Sequence, residues 1–310
     1  MATINTPNLP VLNKKRLTTA QWLTVLFLLV FTLIYMIPFL GAILTAFRTM
    51  DDISLNGFWS IPGELTFQNF PEAVQRAGVS RFLMNSFIIT IPALIGTIFL
   101  SSLSAYALAR YRFAGNKFLY FMYVAGTMLP FQILLLPVFL LSNNICVQEA
   151  YELGQFVLNV PFLDAKVCLY NSYLGVIMIH IAFQMGFCTF VLRNFMRSIP
   201  GEIMDAARID GSSEWGIYWR IVMPLTLPGI AAVSTLEFTW IFNDYIWALI
   251  LLADGSKFPV TQGLSGLQGQ FTTDWPLITA GALVATLPTL IVFFALQRYF
   301  IGGLTLGGVK

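Results

Sequence analysis

Apolar residues run almost unbroken through five stretches, 17–47, 82–109, 118–148, 167–192 and 275–297, and none of these carries Lys, Arg, Asp or Glu. A helix crosses the hydrocarbon core of a bilayer with about 20 apolar residues, so each stretch predicts one membrane helix. A sixth lies within 221–252, where Glu237 and Asp244 are the only charges among Leu, Ile, Val, Phe and Trp. The predicted spans fall near 20–46, 82–109, 118–141, 172–192, 225–252 and 276–297. Pro38, Pro92, Pro130, Pro137 and Pro288 lie inside or at the edges of spans and predict kinks there. The first stretch is too long for a signal-peptide core and no small-x-small cleavage site follows, so it is expected to remain as the first membrane helix.

Composition narrows the class. The chain has 310 residues, 57% apolar and only 10% charged, against roughly 25% charged in soluble domains, which excludes a soluble enzyme. Continuous apolar runs, rather than alternating segments of about ten residues, exclude a membrane β-barrel. The fold class expected is an all-α polytopic membrane protein with six transmembrane helices. Its parts are an N-terminal tail over 1–19, a membrane domain over 20–300 and a C-terminal tail over 301–310.

The placement of the cations sets the orientation. Lys14, Lys15, Arg16, Arg110, Arg112, Lys117, Arg193, Arg197, Arg208, Arg220, Arg298 and Lys310 all fall on the side of the termini. Arg48, Arg76, Arg81, Lys166 and Lys257 fall on the other. Both termini are therefore expected in the cytoplasm. No basic stripe points to nucleic acid. No G-x-x-x-x-G-K-[ST] loop occurs, so any ATP used must be bound by another chain. One histidine and three scattered cysteines give a metal site little to stand on, and no catalytic residue is assigned.

Polar groups inside the spans are the first functional candidates, because a carboxylate at the bilayer centre costs about 2.5–3.5 kcal/mol and must face protein or water. Glu237 and Asp244 are seven residues apart, close to two helical turns, and are expected on one face with Trp240 between them and Asn243 alongside. They form either a hydrated wall of a translocation path, where Trp240 and Trp247 would stack on a sugar ring, or a solvated acid and an interhelical hydrogen bond. His180 and Gln184 stand one turn apart and read as a proton relay or as a histidine bonded across helices. Gly263-Leu264-Ser265-Gly266 is like the serine motif of intramembrane proteases, but the one histidine precedes the serine and Ser265 falls in a Gly-rich outer loop.

The outer loop over 142–171 contains Cys146 and Cys168. A disulfide between them would close a loop of about 20 residues and stabilise it by roughly 3 kcal/mol; the alternative is two free thiols. Cys188, within a span, reads as a small core residue.

The cytoplasmic stretch 193–224 is the most informative. Pro200 opens a short helix and Gly211 ends it at the position favoured for a C-terminal cap. Ala206 and Ala207 give this helix a small-residue face that another protein can approach. Ser212 or Ser213 caps a second helix, whose Trp215, Tyr218, Trp219 and Val222 follow helical spacing and predict an aromatic face for the membrane interface.

Asp205-Ala206-Ala207-x3-Gly211, then nine residues, then Ile221-x-Met223-Pro224, resembles the EAA loop of ABC importer permeases, usually Glu-Ala-Ala-x3-Gly-x9-Ile-x-Leu-Pro. Asp stands for Glu and Met for Leu, so charge and apolar bulk are kept. The resemblance extends from about residue 35 to 310 and is greatest to the smaller, six-helix partner of the maltose-type carbohydrate permease pair. Asn85-Ser86, the run from Ala105 to Arg110, Leu129-Pro130-x-Gln132 with Pro137, Asn243 to Trp247, Gly263 to Gln270, and Gln297 to Phe300 followed by Gly303-Leu304-Thr305 all carry it. The loop 142–171 is longer than the family's usual connection.

This resemblance implies a type I importer fold with a cytoplasmic coupling helix at 202–211, whose Glu202, Asp205, Ala206, Ala207, Asp210 and Gly211 seat against the ATPase. It implies a second homologous permease, a dimeric cytoplasmic ATPase that binds ATP and Mg, an external sugar-binding protein and a sugar substrate. No cofactor is expected on this chain itself, and the setting is a bacterial or archaeal cytoplasmic membrane. Gln132, Glu237, Trp240, Asn243 and Asp244 are then the candidates for the path. The competing expectation is a proton-coupled secondary transporter working through Glu237, Asp244 and His180.

Overall fold

The computed structural model describes residues 18–144, 169–268 and 273–306. Helices α1 (Thr19–Ala46), α4 (Val79–Arg110), α7 (Tyr173–Ser198), α9 (Glu214–Phe242) and α12 (Trp275–Leu306) are each long and apolar enough to cross a membrane. Short helices connect them: α2 (Met50–Asn56), α3 (Asn69–Gln75), α8 (Gly201–Ile209), α10 (Ile246–Leu251) and α11 (Val260–Ser265). The predicted span at 118–141 is two helices, α5 (Asn116–Thr127) and α6 (Phe131–Asn144), bent by 99°. Pro130 stands at the break, where its ring bars the preceding residue from continuing the helix. Counted as one span, this pair brings the crossings among the described residues to six. Pro38, Pro92, Pro137 and Pro288 lie inside their helices. Cys146, Cys168 and most of 142–171 lie outside the described residues.

Small residues set the packing. On α4 a four-residue stride, Asn85, Ile89, Ala93, Thr97, Ser101 and Ala105, is buried throughout. On α7 the same stride buries Val176, His180, Cys188, Leu192 and Met196. The small residues Ala93, Thr97, Ser101 and Ala105 on the α4 ridge let α7 approach closely, which substitutes for the missing hydrophobic drive between helices in lipid. Ser101 Oγ reaches the carbonyl of Met185 at 3.3 Å, and a Cβ on Gly186 would stand 2.8 Å from the carbonyl oxygen of Tyr123 on α5. α9 packs on both α4 and α12, while α1 packs chiefly on α12 and leaves most of its apolar side chains exposed.

At the end opposite the cation-rich loops, Arg48 is fully buried. Its guanidinium donates to Asp52 Oδ2 at 2.5 Å, to the carbonyls of Gly57 and Phe58 at 3.0 and 3.1 Å, and to Ser60 Oγ at 2.7 Å. One side chain thus folds the segment 48–60 around itself. Removing one partner of a buried ion pair costs about 3–5 kcal/mol. Arg48→Met is therefore expected to lower the thermal midpoint of the detergent-solubilised protein by several degrees and to expose 48–60 to protease first. The hydrogen bond from Arg48 holds Asp52 below its ordinary pKa of 3.8. A lowered folded pKa stabilises fully above the unfolded value and is lost as pH falls through the folded one, so this cap loosens only in strong acid.

Candidate functional site

Two places concentrate the candidate residues. The first is α8, at the cation-rich end. Pro200 cannot donate a backbone hydrogen bond and precedes the helix; at the other end Gly211 takes φ +79°. The amide of Ser212 reaches Ala207 O at 2.9 Å and that of Gly211 reaches Arg208 O at 3.0 Å, the paired bonds of a Schellman cap that requires a left-handed residue. Met204 and Ala207 are buried in a cluster with Met196, Ile199, Ile217 and Tyr218. Glu202, Ile203, Asp205, Ala206, Ile209, Asp210 and Gly211 are exposed. The expected Ala206–Ala207 face is therefore split: Ala207 seats the helix on its own bundle, and Ala206 alone faces outward with Ile203 and Ile209. Consecutive helical residues lie about 100° apart, so two neighbouring alanines do not share one narrow face.

A polar clasp holds α8 to the bundle. Arg208 donates to Asp205 Oδ1 and to Glu214 Oε1, each at 2.7 Å, and the bond to Glu214 raises its pKa further. Glu214 also accepts from the hydroxyls of Tyr111 at 2.7 Å and Tyr106 at 3.1 Å. Asp205 therefore turns sideways to Arg208. Ser213 caps α9 through the amide of Gly216 at 3.1 Å. The predicted aromatic face is also divided. Tyr218 and Val222 are fully buried, with Tyr218 OH 2.7 Å from Ser102 Oγ, and only Trp215 and Trp219 remain exposed. The helix takes a π turn at Tyr218–Val222, just before Pro224, which lacks an N–H.

The second place is a cavity of about 520 Å³ between α5, α6, α7, α9 and α10, within the range of about 300–1,000 Å³ usual for small-molecule sites. Aromatic rings supply much of its wall: Phe131, Phe183, Phe187, Trp240 and Trp247. Phe187 and Trp240 pack at 5.3 Å between centroids, and Phe183 and Trp247 at 6.0 Å. His180, Gln184, Asp244 and Thr127 are its polar groups, and no Lys or Arg lines it among the described residues. His180 Nε2 lies 3.7 Å from Asp244 Oδ2. Gln184 Oε1 is buried without a partner among the described residues. Asp244 Oδ2 also accepts from the amide of Ala248 at 3.2 Å, at the start of α10.

Five residues were expected to line the path, and the cavity gathers two of them, Trp240 and Asp244. The single span at 225–252 does not exist as such. α9 stops at Phe242 and Asp244 sits in the break before α10, so the seven-residue helical spacing does not connect it to Glu237. Glu237 is fully buried and accepts from Cys188 Sγ at 3.1 Å, which matches the expectation of an interhelical bond and removes it from the cavity. Asn243 is exposed and donates to Thr239 O at 2.8 Å. Gln132 is exposed beside Phe131 and lines no part of the cavity. The three residues of the proton-coupled alternative are divided in the same way, with His180 and Asp244 together and Glu237 apart. Phe183 and Phe187 were missed, although 180, 183, 184 and 187 follow helical spacing and share one face with His180 and Gln184.

Comparison with known proteins places these features in context. Residues 97–305 match the family described as binding-protein-dependent transport system inner membrane component. The arabinooligosaccharides transport system permease protein AraQ of Halalkalibacterium halodurans is 33% identical over 94% of this chain and 96% of its own length. The osmoprotective compounds uptake permease protein GgtD of Synechocystis is 31% identical over 91% of this chain and 90% of its own. The alpha-glucoside transport system permease protein AglG of Rhizobium meliloti is 34% identical over 80% of this chain and 61% of its own. In structure, a chain of a bacterial ABC transporter involved in the import of the acidic polysaccharide alginate superposes with a TM-score of 0.75 at 18% identity, covering 93% of this chain and all of that one.

Proposed function

The chain belongs to the family of inner membrane components of binding-protein-dependent transport systems, and on that premise we propose that it is the permease of an ABC importer that carries a neutral sugar or oligosaccharide. It spans the membrane several times and works with a second permease, a dimeric ATPase and an external binding protein. ATP and Mg are bound and hydrolysed by the ATPase chains, and this chain contributes no catalytic residue. The cation-rich end is assigned to the cytoplasm, a reading that the excess of Lys and Arg on that side supports.

The observation that carries the sugar reading is the chemistry of the cavity. Flat aromatic faces cover the C–H faces of a pyranose ring, and the acceptors at Asp244 and Gln184 take its hydroxyl protons. With one carboxylate set beside His180 and no Lys or Arg in the lining among the described residues, the site favours an uncharged polyol over a phosphorylated or acidic sugar. The names of AraQ and AglG, which specify arabinooligosaccharides and alpha-glucosides, support the same class. α8 supplies the other half of the reading. Ile203, Ala206 and Ile209 face outward from a helix clasped to the bundle, which suits it to sit in a cleft of the ATPase.

The test uses the complete transporter reconstituted with its binding protein, with ATP hydrolysis measured against a panel of neutral sugars, uronic-acid oligomers and sugar phosphates. Stimulation by one neutral saccharide class is the expected result. Stimulation by charged sugars alone removes the neutral-sugar reading. Uptake by this chain without ATPase, driven by a proton gradient, removes the importer mechanism.

A further inference from the structure

At the cation-rich end the turn after α4 folds back between the feet of α5 and α7 and leaves a second cavity, of about 1040 Å³. Arg110, Arg112, Lys117, Arg193 and Arg197 line it, and among the described residues no carboxylate does. Two of these cations are held in place by the fold. Arg110 donates to the carbonyls of Met196 and Ile199. Arg193 donates to Leu108 O at 3.2 Å and lies 3.8 Å from the centre of the Tyr120 ring. Yet Arg110 Nε is buried without a partner among the described residues, and Arg112, Lys117 and Arg197 are exposed. Tyr111, also in the lining, donates to Glu214, but that carboxylate is already matched by Arg208 at 2.7 Å. Like charges gathered in one concave site repel one another and raise the local concentration of anions.

The surroundings indicate which anion. α5 rises from the rim of this cavity and has no buried residue along its length. Phe118, Phe121 and Met122 on it are exposed. A cationic cavity continued by an exposed apolar strip matches an amphiphile with a phosphate head and acyl chains, whereas a soluble anion would use only the head site. We propose that this cavity binds the phosphodiester headgroup of an anionic membrane lipid, whose acyl chains lie along α5. The inference rests on the orientation argued above, in which this end meets the cytoplasmic leaflet.

The complete transporter, purified in detergent and exchanged against phosphatidylcholine vesicles containing about one third phosphatidylglycerol, tests it, with bound phospholipid counted by mass spectrometry. Retained lipid is expected to be enriched in phosphatidylglycerol. The triple variant Arg112→Gln/Lys117→Gln/Arg197→Gln is expected to lose that enrichment by about fivefold in affinity per charge, roughly a hundredfold in all. The charge-keeping variant Arg112→Lys/Lys117→Arg/Arg197→Lys is expected to restore it. Equal enrichment in the glutamine variant overturns the proposal. Displacement of the lipid by inorganic phosphate alone makes the cavity a soluble-anion site and overturns it as well. So does detachment of the ATPase from the glutamine variant with lipid retention unchanged, which would assign the cavity to a protein contact. Labelling of a cysteine placed at Lys117 in sealed vesicles reports the orientation separately, so a failure of that premise is distinguishable.

Discussion

Ala207→Glu is expected to abolish uptake by the assembled transporter, and Ala206→Glu, one residue earlier, to abolish it by a different route. Ala207 is buried against Met204, Met196 and Ile217. A glutamate there would place a charge among apolar side chains with no cation to meet it, at a cost of about 3 kcal/mol or more. The cheaper response is for α8 to lift off the bundle, which breaks the Arg208–Glu214–Tyr111 clasp. The variant should reach the membrane, since Ala207 is far in sequence from the first spans, but α8 becomes protease-sensitive and uptake falls at least a hundredfold. Ala206 faces outward, so Ala206→Glu leaves the bundle and its thermal midpoint unchanged and acts on the partner alone. Its signature is a permease of normal stability that purifies without the ATPase. If Ala206→Glu retains both ATPase and uptake, the docking surface does not lie on this face.

The second large effect is expected in the aromatic cavity. Hydrogen bonds to charged groups contribute about 1.5–3 kcal/mol, so Asp244→Asn should raise the sugar concentration for half-maximal ATPase stimulation by roughly ten- to a hundredfold. Asn keeps an acceptor for the amide of Ala248 and thus the start of α10, which separates loss of charge from loss of structure. Trp240→Ala removes a half-exposed ring that packs on Phe187, with a smaller expected loss of about tenfold. Glu237→Gln is the contrasting control. Its carboxyl faces Cys188, outside the cavity, so sugar dependence should not change. A shift in sugar dependence from Glu237→Gln that equals that from Asp244→Asn would contradict the separation of the two acids.

Much of this architecture could be read from the chain because membrane crossing imposes length and hydrophobicity, and both are local properties. The short helix α8 was equally legible: proline before it, glycine after it and a serine cap beyond are each backbone effects of single residues. Where the reading failed, the missing information was not local. Periodicity could not say which of two neighbouring alanines faces the bundle, since that depends on where Met196 and Ile217 arrive from other helices. Nor could it foresee that the span at 225–252 breaks after Phe242, because Asn243-Asp244 inside an apolar run carries no proline or glycine. For Phe183 and Phe187 the one signal was their shared helical face with the polar His180 and Gln184, because by composition alone a phenylalanine facing a cavity and one facing lipid look alike in a membrane helix.

The clasp at Arg208 also has a mechanical meaning. α8 is tied to Glu214, the first residue of α9, and α9 then runs 29 residues to Phe242, a rod of about 43 Å at 1.5 Å per residue. Trp240 sits near its far tip and Asp244 just past it. The chain therefore contains a lever, with its handle among the exposed residues of α8 and its working end at the aromatic wall. In the importer proposed above, a push delivered at Ala206 would be carried toward the aromatic wall by this one helix, which holds a π turn at Tyr218–Val222 and Pro228 along its length.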